Sequence, residues 1–328
     1  MEKYLSALGR VICVFAALSV NEGVLSDSEK PAEKKTADSF AEKFNSDDFP
    51  GIFEMFSPSL QKSLTLSKTE EFLKGVKLGS GRMKKKQFQG YSKNAFASYL
   101  AVCEYSKFTL ELVLDKDSRI SGYYIRTVPA AETDFPKIER NISRIQFPAE
   151  GVWSTTWGGD TKELNYHVEK KFQKNAFDFV IRDERNSSYK NDGKKNEDYY
   201  AFGKELFAPA DGIAVYVKDG FPDNKPGEKT DKPNEVIIRT ENGEYVVLLH
   251  FKKNSIAVKQ GEKIKRGQLL GLVGNSGFSS EPHIHFHMMN GFPGTAAAGI
   301  KCFFDRISVN GKSRKDYSPI KGDRISRD

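Results

Sequence analysis

The chain of 328 residues has only three cysteines, two tryptophans and five histidines. Three cysteines are too few for a disulfide scaffold. No Cys-x-x-Cys pair occurs, so a zinc site built on thiolates is excluded on ligand count. No window approaches the roughly 18 uninterrupted apolar residues of a membrane-spanning helix, so stable membrane insertion is not expected. Neither sign of charge is scarce: 51 Lys and Arg stand against 44 Asp and Glu, a net charge of +7. Such an excess suits anionic surroundings such as cell wall, membrane or nucleic acid, but it is spread along the chain and singles out none of them. Nucleic-acid binding has only this net charge in its favour, and is not expected. What the chain does have is 38% apolar residues and 24 phenylalanines, which excludes a wholly disordered polymer. Its length allows two domains, each with its own core.

Residues 1–29 have the layout of a secretory signal peptide. Lys3 and Arg10 precede the apolar run Val11 to Val20, and Ser26, Asp27, Ser28, Glu29 and Lys30 follow it. The run is too short to cross a bilayer. No Ala-x-Ala marks a cleavage site, and the alternative is a buried N-terminal helix. The first reading implies export to the periplasm or beyond.

Residues 30–129 read as an α+β domain. Residues 31–38 are charged and small, a linker or a fraying helix start. Phe40 and Phe44 share one helix face. Asp47 and Asp48 precede Pro50 as a cap, and Ser67-Lys-Thr-Glu70 has the form of a capping box for a further helix. After Gly81 the period changes: Phe108, Leu110 and Leu112 alternate as in a half-buried strand, Asp115 to Ser118 turn, and Ile120 to Thr127 return. Helices followed by an antiparallel sheet define the class. The phrase AEKFNSDDFPGIFEMFSPSLQKSL resembles the cone-shaped domains of the nuclear-transport-factor-two type. No clustered acid, base or metal ligand occurs here. Residues 130–149 read as a linker.

All five histidines lie in the second half: His167, His250, His283, His285 and His287. The surrounding sequence is strand and turn material. ELFAPADGIAVYVKDG and NEVIIRTENGEYVVLLHF both read as strand–turn–strand, the second around Asn242-Gly243. The expected class of residues 150–328 is mainly antiparallel β, with a core over about 160–310. His283, His285 and His287 alternate in a strand, so their imidazoles share one face and Ile284 and Phe286 the other. Two imidazoles spaced this way reach one point without backbone strain, and neutral imidazole is a good zinc ligand.

GQLLGLVGNSGFSSEPHIHFHM is similar to the signature of the lysostaphin-type (LytM-like) peptidoglycan zinc endopeptidases. Upstream, APADGIAVYV and VVLLHFKKNSIAVKQGEKIKRGQLLG match further motifs of that family in the right order, over about residues 150 to 310. The resemblance implies a zinc-dependent endopeptidase that hydrolyses peptide cross-links of peptidoglycan, with one Zn²⁺ per chain. It implies His285 as a metal ligand and His250 and His283 as catalytic histidines. The family's remaining two ligands come from an H-x-x-x-D motif that this chain lacks. The segment NYHVEKKFQKNAFDFVIRD resembles a long-insert variant of it and implies His167 and Asp178 as ligands. Asp183, Asp192 and Asp198 are the competing carboxylates. His287 is an extra residue, either lining the groove or a polar side chain at the strand end. Two nitrogens and a carboxylate leave such an ion one open position, where the pKa of water falls to about 7.

Two other readings compete. One is a catalytically silent relative that binds cell wall or regulates a partner. The other is a carrier-type β domain, since VKQGEKIKRGQLLG also resembles biotinyl and lipoyl hairpins. The carrier reading leaves the histidines without a purpose.

Overall fold

The computed structural model describes residues 28–328 apart from 93–94, 129–137 and 294–296. Nearly all of the signal segment expected over 1–29 therefore lies outside the described residues. Two compact units divide between Ala131 and Glu132.

The first unit opens with α1 (Pro31–Asn45), α2 (Phe49–Glu54), α3 (Pro58–Ser63) and α4 (Leu66–Ser80). Residues 31–38 are neither linker nor frayed: they are the first turns of α1, with Pro31 at its start and Ala37 fully buried. Phe40 and Phe44 sit one turn apart on the buried face, ring centroids 6.4 Å apart. Asp48 caps α2 by accepting from the Gly51 N–H at 2.9 Å. The cap of α4 is Thr65, not Ser67. Thr65 has the extended backbone a cap needs, and its hydroxyl accepts from the Lys68 N–H at 3.3 Å. The expected capping box thus falls inside the helix.

An antiparallel sheet follows, in the order β1 (Met83–Tyr91), β2 (Ala97–Cys103), β3 (Lys107–Leu114) and β4 (Ile120–Thr127). Phe108, Leu110 and Leu112 face the helices, as their alternation requires. The Asp115 carboxylate accepts from the backbone of Asp117 and Arg119, which closes the β3–β4 turn.

The second unit is mainly antiparallel β. Its strands are β5 (Trp153–Trp157), β6 (Phe177–Val180), β7 (Glu205–Phe207), β8 (Gly212–Lys218), β9 (Glu235–Arg239), β10 (Tyr245–Leu249), β11 (Lys263–Ile264), β12 (Leu269–Leu272), β13 (Ile284–Met289), β14 (Gly299–Ile300), β15 (Phe304–Val309), β16 (Lys312–Tyr317) and β17 (Arg324–Ser326). The main sheet runs β11-β8-β9-β10-β13-β6-β5-β17-β15-β16, with β14 beside β13, while β12 pairs with β7. Its two faces differ. Val236, Ile238, Val246, Leu248, Ile284, Phe286, Phe177 and Phe179 fill one core. Ile237, Tyr245, Val247, Leu249 and Met289 form a smaller cluster on the other face, which also carries His285 and His287.

The linker expected over 130–149 is not a linker over its described part. Ile145, Phe147 and Ala149 are fully buried in the second unit's main core, and the Ile145 carbonyl accepts from the Asp305 N–H at 2.9 Å. Apolar side chains spaced two apart had a sheet to cover.

Candidate metal centre

The site forms where β6, β10 and β13 lie side by side. In the register, His285 pairs with Asp178 on β6 and with Leu249 on β10, one residue before His250. Cross-strand pairing therefore brings together residues more than 100 positions apart in sequence. His167 reaches them from a short 3₁₀ turn, Tyr166–Glu169, capped by the Asn165 side chain.

His167, Asp178 and His285 offer ligand atoms all within 4.8 Å of one another, and so do His250, His283 and His285. The Asp178 carboxylate is central. One oxygen lies 2.8 Å from His285 Nδ1 and 3.4 Å from His283 Nε2; the other lies 3.7 Å from His167 Nε2. The competing carboxylates are engaged elsewhere: Asp183 accepts from Ser187 and Arg185, Asp192 pairs with Lys194, and Asp198 accepts from Asn191.

Ring orientation is fixed by partners that sequence reasoning did not identify. His167 Nδ1–H donates to Asn165 Oδ1 at 2.8 Å, His250 Nδ1–H to the Ser276 carbonyl at 2.6 Å, and His283 Nδ1–H to the Glu281 carbonyl at 2.8 Å. With Nδ1 protonated on each, the neutral rings of His167 and His250 present a bare Nε2 to the site, while His283 turns its Nε2 toward the Asp178 carboxylate. His285 is turned the other way, with Nδ1 at Asp178. His250 sits at φ +68°, in the left-handed region that a β-strand exit with a side chain rarely adopts.

Burial keeps most of these rings neutral, the form that binds metal. It pushes His167 down to about 4. His250 and His287 are held well below the ordinary imidazole value by burial and by neighbouring imidazoles. Burial acts on His283 in the same sense, but the Asp178 carboxylate overcomes it and raises that ring. Burial would raise Asp178; His283, His285 and His167 together hold it well below the usual carboxylate range. Burial and the same carboxylate push the Tyr166 phenol up.

A buried, ionised carboxylate beside imidazoles is a donor set that fits a divalent cation. Two ligands of one tetrahedral ion, at about 2.0–2.1 Å each, lie roughly 3.3 Å apart. The spacings around Asp178 bracket that value.

Residues 195–296 match the family described as peptidase family M23, and residues 37–123 match a family of unknown function (DUF3887). The first match takes in His250, His283 and His285; His167 and Asp178 precede it. The chain is 23% identical over 177 residues to the peptidoglycan DD-endopeptidase ShyA of Vibrio cholerae, covering 54% of this chain and 34% of the relative. It is 26% identical over 125 residues to an uncharacterized metalloprotease of Buchnera aphidicola, covering 38% and 28%. The chain thus spans about a third of the length of these curated relatives. Among solved structures it is similar to the catalytic domain of the prophage-encoded M23 protein EnpA from Enterococcus faecalis, at 18% identity and TM-score 0.31, covering 49% of this chain and 95% of that one. It is also similar to the catalytic domain of lysostaphin from Staphylococcus simulans, at 20% identity and TM-score 0.27, covering 45% and 86%. Residues 195–296 thus carry a match to peptidase family M23, on the same chain as an earlier match to the family of unknown function.

Proposed function

We propose that this chain is an exported zinc-dependent endopeptidase that hydrolyses peptide cross-links of bacterial peptidoglycan. The observation that carries the reading is the buried His167–Asp178–His285 donor set, flanked on one side by two further imidazoles with fixed tautomers. The M23 match and the DD-endopeptidase relative support the substrate class, and the signal-like segment supports export.

On this reading His167 Nε2, an Asp178 oxygen and His285 Nδ1 hold one Zn²⁺ per chain. Bound there, the ion supplies Lewis acidity toward the scissile carbonyl and lowers the pKa of water to about 7. His250 and His283 have Nδ1 tied to backbone carbonyls, so each aims Nε2 at the reacting atoms. One such nitrogen takes the proton of the attacking water, and an imidazolium then protonates the departing amine or stabilises the oxyanion. Asp178 holds the negative charge that keeps two buried imidazoles and a cation together.

The test is metal content and turnover of cross-linked muropeptides by the purified protein. Stoichiometric zinc is expected, lost in His285→Ala and strongly weakened in His167→Ala and Asp178→Asn. His250→Ala and His283→Ala should keep zinc and lose roughly 10²–10⁴ of turnover. Loss of metal in these two variants would instead assign the ion to the His250–His283–His285 set. A protein that cleaves without metal would overturn the reading.

A further inference from the structure

His287 has no role in the scheme above, yet it is 3% exposed and lies two residues after His285 on the same face of β13. His285 Nε2 stands 3.1 Å from His287 Nδ1 and 3.4 Å from Gln173 Nε2. Two imidazole nitrogens at hydrogen-bond distance share one proton, so one donates and the other accepts. The opposite edge of His285 decides which. Its Nδ1 is turned to Asp178 at 2.8 Å, inside the His167–Asp178–His285 set. As a ligand, Nδ1 must offer a lone pair, so the neutral ring carries its proton on Nε2. That N–H is buried and needs an acceptor. His287 Nδ1 is the nearer of the two, and an imidazole nitrogen without its proton is a good acceptor; Gln173 lies farther, with its amide nitrogen toward the ring.

We propose that His287 is a positioning residue for the metal centre: its Nδ1 accepts the Nε2–H of His285, fixing the tautomer and rotation that present His285 Nδ1 to the ion. A neutral acceptor does this without adding a second negative charge beside Asp178. The proposal rests on the metal-centre reading given above, and the two fail differently. If that reading is wrong, the wild-type protein itself takes up no zinc.

The experiment is zinc affinity of the full chain by competition with a chromogenic chelator, together with the thermal midpoint of the metal-free protein. His287→Leu keeps the buried volume and removes the acceptor. It should weaken zinc binding roughly 10–100-fold, the usual effect of losing such a partner, with the metal-free midpoint little changed. His287→Asn, whose side-chain oxygen falls near the Nδ1 position, should restore most of the affinity. Gln173→Ala should shift it far less. Equal affinity in wild type and His287→Leu overturns the proposal. If His287→Leu does not fold, His287→Asn and His287→Gln decide it, because the glutamine oxygen falls near Nε2 instead of Nδ1. Equal affinities in that pair, or tighter binding by His287→Gln, overturn it as well.

Discussion

At the scale of single residues, Glu235 stands apart from the charges of the site. It pairs in register with Leu249, on the same face of the sheet as His285, and is 8% exposed. Its carboxyl has no ion-pair partner among the described residues: across the strand, Lys218 lies 5.4 Å from the centre of the Phe221 ring. Burial pushes Glu235 up from 4.5 to about 7, slightly offset by Lys218. The sign follows from linkage. The folded chain keeps a proton that the unfolded chain gives up near pH 4.5, so stability from this group is complete below 4.5 and lost as pH rises through about 7. Glu235→Gln should change nothing at the acid end and stabilise the protein above neutrality, by about 3 kcal/mol for a shift of this size. Urea denaturation across that pH range is the measurement. A difference independent of pH would mean that the glutamine acts through packing and not through charge.

At the scale of elements, the loop between β12 and β13 supports the strand exit that presents His250. The Gly274 N–H donates to the His250 carbonyl at 3.0 Å, and the Ser276 carbonyl holds that residue's ring. A Cβ on Gly274 would collide with the Lys252 backbone and the Asp223 carboxylate. Gly277 has φ +76° and lies against Pro233, which also leaves no room for a side chain. Gly-Asn-Ser-Gly is thus a spacing device: it lets the loop pass close enough to fix His250 in its left-handed conformation. Gly274→Ala should cost roughly 1–3 kcal/mol, as overpacking does. It should reduce turnover more than zinc content, because the proposed ligands His167, Asp178 and His285 are carried by other segments. Zinc loss in step with activity would show that the loop supports the ligands themselves.

At the scale of the whole molecule, the stretch 138–149 belongs to the second unit. A chain starting at Ala149 would lack Ile145 and Phe147, both fully buried. Loss of one buried Phe typically costs about 3–5 kcal/mol, a large share of a domain's roughly 5–15 kcal/mol. A chain starting at Glu132 should fold and bind zinc, and one starting at Ala149 should melt far lower or fail to fold. Matching melting temperatures for the two would contradict the packing described here. Among the described residues no helix is long and apolar enough to cross a membrane.

Local chemistry was enough to recognise the two-domain order, the α1 face of Phe40 and Phe44, the alternation of β3, and the shared face of His283, His285 and His287. Each of these depends on backbone period and on neighbours a few residues away. Three features were beyond its reach. The Thr65 cap was hidden because several Ser and Thr residues compete locally, and only the path of the chain into α4 selects one. The hydrogen bonds of His167, His250 and His283 to Asn165, Ser276 and Glu281 follow from loop paths that no periodicity encodes. The contact of His287 with His285 could have been read from the alternation itself; its meaning could not, because the direction of that hydrogen bond depends on Asp178 at the ring's other edge. The sequence by itself determined which side chains share a strand face. Only the tertiary structure decided which strands become neighbours, since β6, β10 and β13 meet by long-range pairing, and with it which nitrogen of each ring faces the carboxylate.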